Sequence, residues 1–243
     1  MKIGIITALA SETLSIYEKL GNVTNTSIIA GVKIYVIEIG KDTLYLACTG
    51  AGEIRAAQAT QMLIDIFDVE TILNFGFVGA LSHSLSIGDV VIVEKVVHSA
   101  IDFRFIDGTQ IGQYDNRDDL FFRMDGNLLN YVRNVLPITI RLVTLSSEDA
   151  FIIDKNKKQW LRKTFGADIC DMEAAGIALV CERNNVPMFS MKVVSDNADD
   201  NANQDFSTTL ANGITKYEQY IPLIIEAIDG FGIRKELPPV LKQ

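Results

Sequence analysis

Three acidic motifs stand where apolar runs give way to polar residues. Glu12 follows the run from Lys2 to Ala8, and Asp171-Met172-Glu173 precedes the small residues Ala174-Ala175-Gly176. Asp196 follows an apolar run directly and opens Asp196-Asn197-Ala198-Asp199-Asp200. Each also has an ordinary explanation. A first-turn glutamate such as Glu12 is a solvated residue favoured by the helix dipole. Acids at a helix start can simply cap it, and Asp and Asn suit turns. Met172 between two acids is an odd cap, however. Asp196 is expected at the lip of a sheet, partly desolvated, with the raised pKa of a proton donor. Three carboxylates converging on one pocket suit a reaction that builds an oxocarbenium-like cation on a sugar. One carboxylate activates water. A second holds the sugar hydroxyls and offsets the positive charge. The third protonates the leaving group.

Two glycine motifs accompany these acids: Thr49-Gly50-Ala51-Gly52 and Gly76-Phe77-Val78-Gly79. Both read as strand-to-helix turns. Glycine lets a backbone approach a ligand closely, and helix N-termini attract anions. Neither motif has the spacing of a dinucleotide fingerprint or a P-loop, and tight turns alone also explain them.

The elements that must position these residues follow from periodicity. Residues 2–8 form a short, nearly continuous apolar run, as in a strand buried on both faces. Three β-like runs at 27–30, 33–39 and 43–48 suggest a meander. Amphipathic spacing predicts a helix over 53–67, and strands follow at 71–75 and 89–97. Residues 107–119 read as a long polar loop. A helix at 120–135, a strand at 138–145 and a charged helix at 155–165 come next. A helix at 171–184, a strand at 188–195 and a last amphipathic helix at 208–229 complete the pattern. Strands alternating with helices imply an α/β fold, with a central mixed, largely parallel sheet flanked by helices. Ligands in such sheets bind outside the carboxyl ends of the strands. Without a linker-like stretch, residues 1–230 read as a single domain, with 231–243 as a C-terminal tail.

Composition narrows the partners. The chain has 243 residues, long enough to bury a full core, and its net charge is −9. That balance argues against nucleic acid, whose phosphates need a basic footprint, and against an anionic membrane surface. No apolar run reaches the length of a membrane span. The three cysteines, Cys48, Cys170 and Cys181, have no metal-ligand spacing and are odd in number. They fit a reducing cytoplasm, and neither a metal nor an organic cofactor is indicated. His83 and His98 read as structural or surface residues.

Taken in order, the motifs resemble the nucleoside phosphorylase/hydrolase superfamily. Within it they resemble the nucleosidases of 5′-methylthioadenosine and S-adenosylhomocysteine. The likeness runs from residue 1 to about 230. It is carried by Lys2–Glu12, Thr49–Gly52, Asn74–Leu81, Ile87–Ile92, Asp149–Ile152, Asp171–Ala174 and Ser195–Asp199. It implies Glu12 as the catalytic glutamate and Asp196, next to Ser195, as the acid that protonates the purine. It implies that Phe151 stacks on the base and that the Ile152 backbone reads its edge. Met172 would pack on the ribose and Glu173 would bind its 2′- and 3′-hydroxyls, with Asp171 beside them. Gly76 and Phe77 would line the site. Phe206 would either close over the base or belong to the core.

The resemblance also implies a nucleoside substrate, methionine salvage and a homodimer, for which the apolar stretch Ile101–Ile106 offers a contact. Four positions depart from the family pattern and bear on substrate identity: Phe77 for a small residue, Lys192 for an arginine, and Thr7 and Glu148 for glycines. Related phosphorylases cradle phosphate with arginines. Here the first loop and the residues before Gly76 carry none, and Arg55 reads as a solvated helix residue. Hydrolysis is therefore expected. A phosphorylase of the same superfamily and a nucleoside-binding homologue remain the alternatives.

Overall fold

A computed structural model describes residues 1–106, 108–115 and 117–231. The expected tail lies, from residue 232 onward, outside the described residues. Ten strands and seven helices alternate along the described chain. The first part runs β1 (Lys2–Thr7), α1 (Ala10–Leu20), β2 (Val23–Ile29), β3 (Val32–Ile39), β4 (Asp42–Cys48), α2 (Glu53–Phe67), β5 (Thr71–Ala80) and β6 (Val90–His98). It continues with β7 (Phe122–Arg123), α3 (Gly126–Val135), β8 (Arg141–Ser147), α4 (Lys155–Phe165) and β9 (Ile169–Asp171). The last part is α5 (Ala174–Asn184), β10 (Met188–Asp196), α6 (Ala202–Glu218) and α7 (Ile221–Phe231).

All strands join one mixed sheet. The meander β2-β3-β4 is antiparallel, and β4 passes to β1 and then β5 through parallel pairings. β5 pairs with both β10 and β9, and the order β10-β6-β8-β9 brings the sheet back onto β5. The half of the sheet that carries Asp171 and Asp196 is thus closed on itself, while the half that runs from β1 through the meander ends in an open edge. Helices cover both faces. Alternate residues of β5 and β10 point to opposite sides, as strand geometry requires. Ile72, Val78, Met188 and Val194 pack with α2 and α5. Leu73, Phe75, Phe189 and Met191 pack with α1, α3 and α7.

Several boundaries differ from expectation for local reasons. Residues 76–79 are not a strand-to-helix turn. β5 continues through them because β10 pairs alongside in parallel, Lys192 opposite Gly76 and Asp196 opposite Gly79. The helix expected over 120–135 starts at Gly126. Asp125 caps it by accepting the Leu128 N–H at 2.8 Å, and Phe122–Arg123 pairs with β6 instead. The single helix expected over 208–229 is two helices, α6 and α7. Pro222 sits in the first turn of α7, where its missing N–H is tolerated, but it would clash inside a continuous helix. The helix expected over 171–184 starts at Ala174, because Asp171 ends the short strand β9.

Candidate active site

Glu12 is the third residue of α1, yet it is not the solvated first-turn residue that its position allows. It is 2% exposed. Its Oε2 accepts the N–H groups of Ala8 and Leu9, satisfying donors that a helix start leaves free. Its Oε1 accepts the Phe77 N–H at 3.0 Å from the middle of β5. A Cβ on Gly76 would come within 3.1 Å of that oxygen, so a residue without a side chain stands where the two elements meet. Burial outweighs these bonds and raises the Glu12 pKa. Oε1 accepts this single protein donor and so keeps acceptor capacity toward the cavity.

The second motif is assembled from several elements. Glu173 is the N-cap residue of α5, and Asp171 Oδ1 accepts the N–H groups of Glu173 and Ala174. Glu173 Oε1 accepts the Gly52 N–H at 3.0 Å across 121 residues of sequence. That contact depends on α2 and α5 touching backbone to backbone. A Cβ on Gly176 would lie 2.4 Å from the Glu53 carbonyl oxygen, which no side chain tolerates. Lys192, fully buried on β10, donates to Asp171 Oδ2 at 2.9 Å. Desolvation and the neighbouring Asp171 push Glu173 up to about 7 against the pull of Lys192. Asp171 lines the cavity with both oxygens already engaged by protein donors.

Asp196 ends β10 and is 2% exposed. Ser195 Oγ donates to its Oδ2 at 2.8 Å, and the Ala198 N–H donates to its Oδ1 at 2.8 Å. Ala198 adopts a left-handed backbone (φ 48°) to make that turn. Desolvation raises the Asp196 pKa, as its place at the sheet's lip predicts, and Asp205 and Asp199 add to the effect.

These groups surround one cavity of about 830 Å³, mouth included, between the ends of β1, β5, β9 and β10. Its lining includes each residue that the family resemblance places at the site: Glu12, Gly76, Phe77, Phe151, Ile152, Asp171, Met172, Glu173, Ser195, Asp196 and Phe206. Phe206 on α6 lines the cavity and also packs against the core. Its ring meets Phe77 edge-on at 5.9 Å and Phe151 at 6.1 Å, so three aromatic rings form one wall. Phe151 is 43% exposed at the mouth.

The phosphorylase superfamily matches residues 2–225. The chain belongs to that superfamily. It is 35% identical to the 5′-methylthioadenosine/S-adenosylhomocysteine nucleosidase of Staphylococcus carnosus, with 84% of this chain and 90% of that one covered. It is 31% identical to the aminodeoxyfutalosine nucleosidase of Campylobacter jejuni over 87% of this chain and 93% of that one. Among solved structures, the 5′-methylthioadenosine/S-adenosylhomocysteine nucleosidase from S. pneumoniae superposes with a TM-score of 0.87 at 26% identity, covering 94% of this chain and 100% of that one. The Helicobacter pylori futalosine hydrolase shares the fold with a TM-score of 0.89 at 24% identity, covering 93% of this chain and 97% of that one.

Within this superfamily scaffold, the departures from pattern find local partners. Thr7 Oγ1 bonds Thr13 Oγ1 at 2.6 Å in the core. Glu148 accepts from Ser99 Oγ at 2.6 Å and pairs with Lys157 at 2.9 Å. Arg55 is exposed over the Gly50 turn. His98 Nδ1 bonds the Tyr114 hydroxyl at 2.7 Å, burial lowers its pKa, and His83 is exposed. Three residues of weight escaped sequence reasoning. Glu53 and Ser147 sit directly behind Asp171, and Lys158 on α4 donates to the Asn197 carbonyl of the Asp196 turn. Burial of an acid in the first turn of an amphipathic helix leaves no trace in periodicity. Only the glycine at 176, opposite the Glu53 backbone, hints at the close approach.

Proposed function

We propose that this chain hydrolyses the N-glycosidic bond of 5′-methylthioadenosine and S-adenosylhomocysteine, releasing adenine and the 5-thio-substituted ribose. The observation that carries the reading is the sorting of three buried carboxylates around one largely apolar cavity. Asp196, whose pKa burial raises, gives its proton to N7 of the leaving adenine. The bond between the base and C1′ breaks with positive charge spread over the ribosyl ring. Glu12 takes a proton from the attacking water through Oε1, and the water oxygen bonds C1′. Glu173 accepts the ribose hydroxyls and offsets the charge, Met172 packs on the sugar, and Phe151, Ile152 and Phe206 hold the base.

Water is favoured over phosphate as the nucleophile. Lys192 is the cation among the described residues that line the cavity, and it is paired with Asp171. A phosphate anion would face Glu12 and Glu173 without a free counter-charge. Phosphate-independent release of adenine from the two thio-nucleosides tests this reading. Release only in the presence of phosphate would defeat it. Aminodeoxyfutalosine belongs in the same assay, because a relative of nearly equal identity is named for it.

We also assign the reaction to methionine salvage in the cytoplasm, which the three unpaired cysteines suit. The proposed working form is a homodimer. Phe105 and Ile106, 93% and 83% exposed in the apolar stretch Ile101–Ile106, support that assembly, and sedimentation tests it.

A further inference from the structure

Glu53 opens α2 and is buried, yet it stands behind the cavity wall rather than on it. Its Oε2 accepts the Gly176 N–H. Its Oε1 lies 2.5 Å from Ser147 Oγ, and the same hydroxyl lies 2.6 Å from Asp171 Oδ1. A serine hydroxyl carries one proton. It can donate to one of these carboxyl oxygens only. The other contact must run the opposite way, with a protonated carboxyl donating to Oγ. Asp171 is not that partner. Two backbone N–H groups and the Lys192 ammonium converge on it and hold it as an anion. Glu53 has one backbone donor and no cation against it, so the proton belongs on Glu53 Oε1.

We propose that Glu53 is a neutral carboxylic acid in the working protein, a positioning residue that donates to Ser147 so that Ser147 donates to Asp171. Asp171 is thereby fixed between Lys192 and the turn that presents Glu173. The inference deepens the hydrolase reading, and its kinetic test rests on that reading. Burial, with the Asp171 charge next in weight, pushes Glu53 up to about 8. The groups facing it are Asp171 on β9, Glu173 on α5, Asp149 at its own backbone N–H, and the Tyr114 phenol. All are acidic, and Lys192 reaches it only through Asp171. When the Glu53 proton leaves to solvent above that pH, one hydroxyl proton serves two carboxylates, and Asp171 competes for it with a second anion.

Infrared difference spectroscopy of the full chain against Glu53→Gln tests the protonation state without reference to activity. Glutamine keeps the donor but has no ionisable proton. The expected difference at pH 7 is the carbonyl band of a protonated carboxyl, fading as pH is raised through about 8. A difference made of ionised carboxylate bands overturns the proposal. Should that variant not fold, Ser147→Ala serves instead. It removes the acceptor and must shift the same carbonyl band, and an unshifted band overturns the proposal. In the kinetic test, the ratio of E53Q to wild-type kcat rises about tenfold between pH 7 and pH 9, because the wild type alone loses its neutral Glu53. Any alkaline loss due to Asp196 cancels in that ratio, and a flat ratio overturns the positioning role. Absence of base release by the wild type would defeat the hydrolase reading and leave the infrared result standing. An ionised Glu53 in an active enzyme would defeat this inference alone.

Discussion

The two sides of the cavity keep buried carboxylates in opposite ways. Asp196 is satisfied by its immediate neighbours, the Ser195 hydroxyl and the Ala198 N–H; the acids Asp205 and Asp199 raise its pKa, and the Lys158 ammonium binds the adjoining Asn197 carbonyl rather than the carboxylate. Such surroundings favour the neutral, proton-carrying form. Glu12 and Glu173 share the influence of Lys192, which lowers both pKa values against the penalty of burial. Lys192 thus offsets part of the burial penalty on both, and Glu173 sits at about 7. A buried acid meant to give a proton is best left without an ion-paired cation. Buried acids meant to accept one, or to face a ribosyl cation, need one close by.

The largest expected effect breaks the acid side. Asp196→Asn keeps an acceptor for the Ala198 N–H and removes the proton. Loss of a general acid typically costs about 10²–10⁴-fold. Steady-state assays should show kcat down by roughly a thousandfold or more, with the thermal midpoint little changed. Near-normal turnover in a folded variant would take Asp196 out of the acid role.

The next effect breaks the other side through its cation. Lys192→Met leaves Asp171 buried without its ion-pair partner, a change that costs about 3–5 kcal/mol when one member of a buried pair is removed. Thermal unfolding should report that loss as a clearly lower midpoint. Lys192→Arg should lose less, since it keeps the charge. Equal midpoints for Lys192→Met and wild type would mean that the pair with Asp171 adds nothing to stability.

The same contrast explains how much was legible beforehand. Asp196 is held by residues one and two places away, so an apolar run ending in Ser-Asp-Asn-Ala was enough to place it. The Glu173 side draws on Gly52, Ser147, Asp171, Lys192 and Glu53, spread over four elements. Sequence showed the acids and the small residues Ala174–Gly176, but not that Gly176 presses on the Glu53 backbone or that Lys192 crosses to Asp171. The continuation of β5 through Gly76–Gly79 was hidden for the same reason. Glycine usually signals a turn, and pairing with β10, joined by β9 at Gly79, keeps that segment extended.

A pH series sharpens the comparison. Glu173 sits at about 7, above its ordinary value. Its charged form is the one that serves a ribosyl cation, so kcat/KM should rise with pH toward that value. Removing Lys192 takes away the influence that lowers Glu173, so the rise should move to higher pH in Lys192→Met. The Asp196 pKa is raised by burial and by Asp205 and Asp199, so any alkaline fall due to the acid should stay in place. For stability the sign runs the other way. A carboxyl whose folded pKa is raised stabilises the fold at low pH, and this contribution is lost as pH climbs through about 7 for Glu173 and about 8 for Glu53. Thermal midpoints that climb across that window would contradict the burial of both acids.

The smallest effect concerns the aromatic wall, which serves both sides without charge. Phe206 bridges Phe77 and Phe151 through edge contacts, each worth about 0.5–1.5 kcal/mol beyond the area buried. Phe206→Ala should therefore raise KM by roughly three- to tenfold. It should change kcat less, because no proton donor or acceptor is touched. Phe77→Ala separates wall from chemistry more finely. The Phe77 side chain belongs to the wall, but its N–H holds Glu12 Oε1, and that bond survives the substitution. A KM effect like that of Phe206→Ala with little change in kcat would assign the ring to substrate binding. A fall in kcat resembling that of a Glu12 variant would instead tie the ring's packing to the placement of the base.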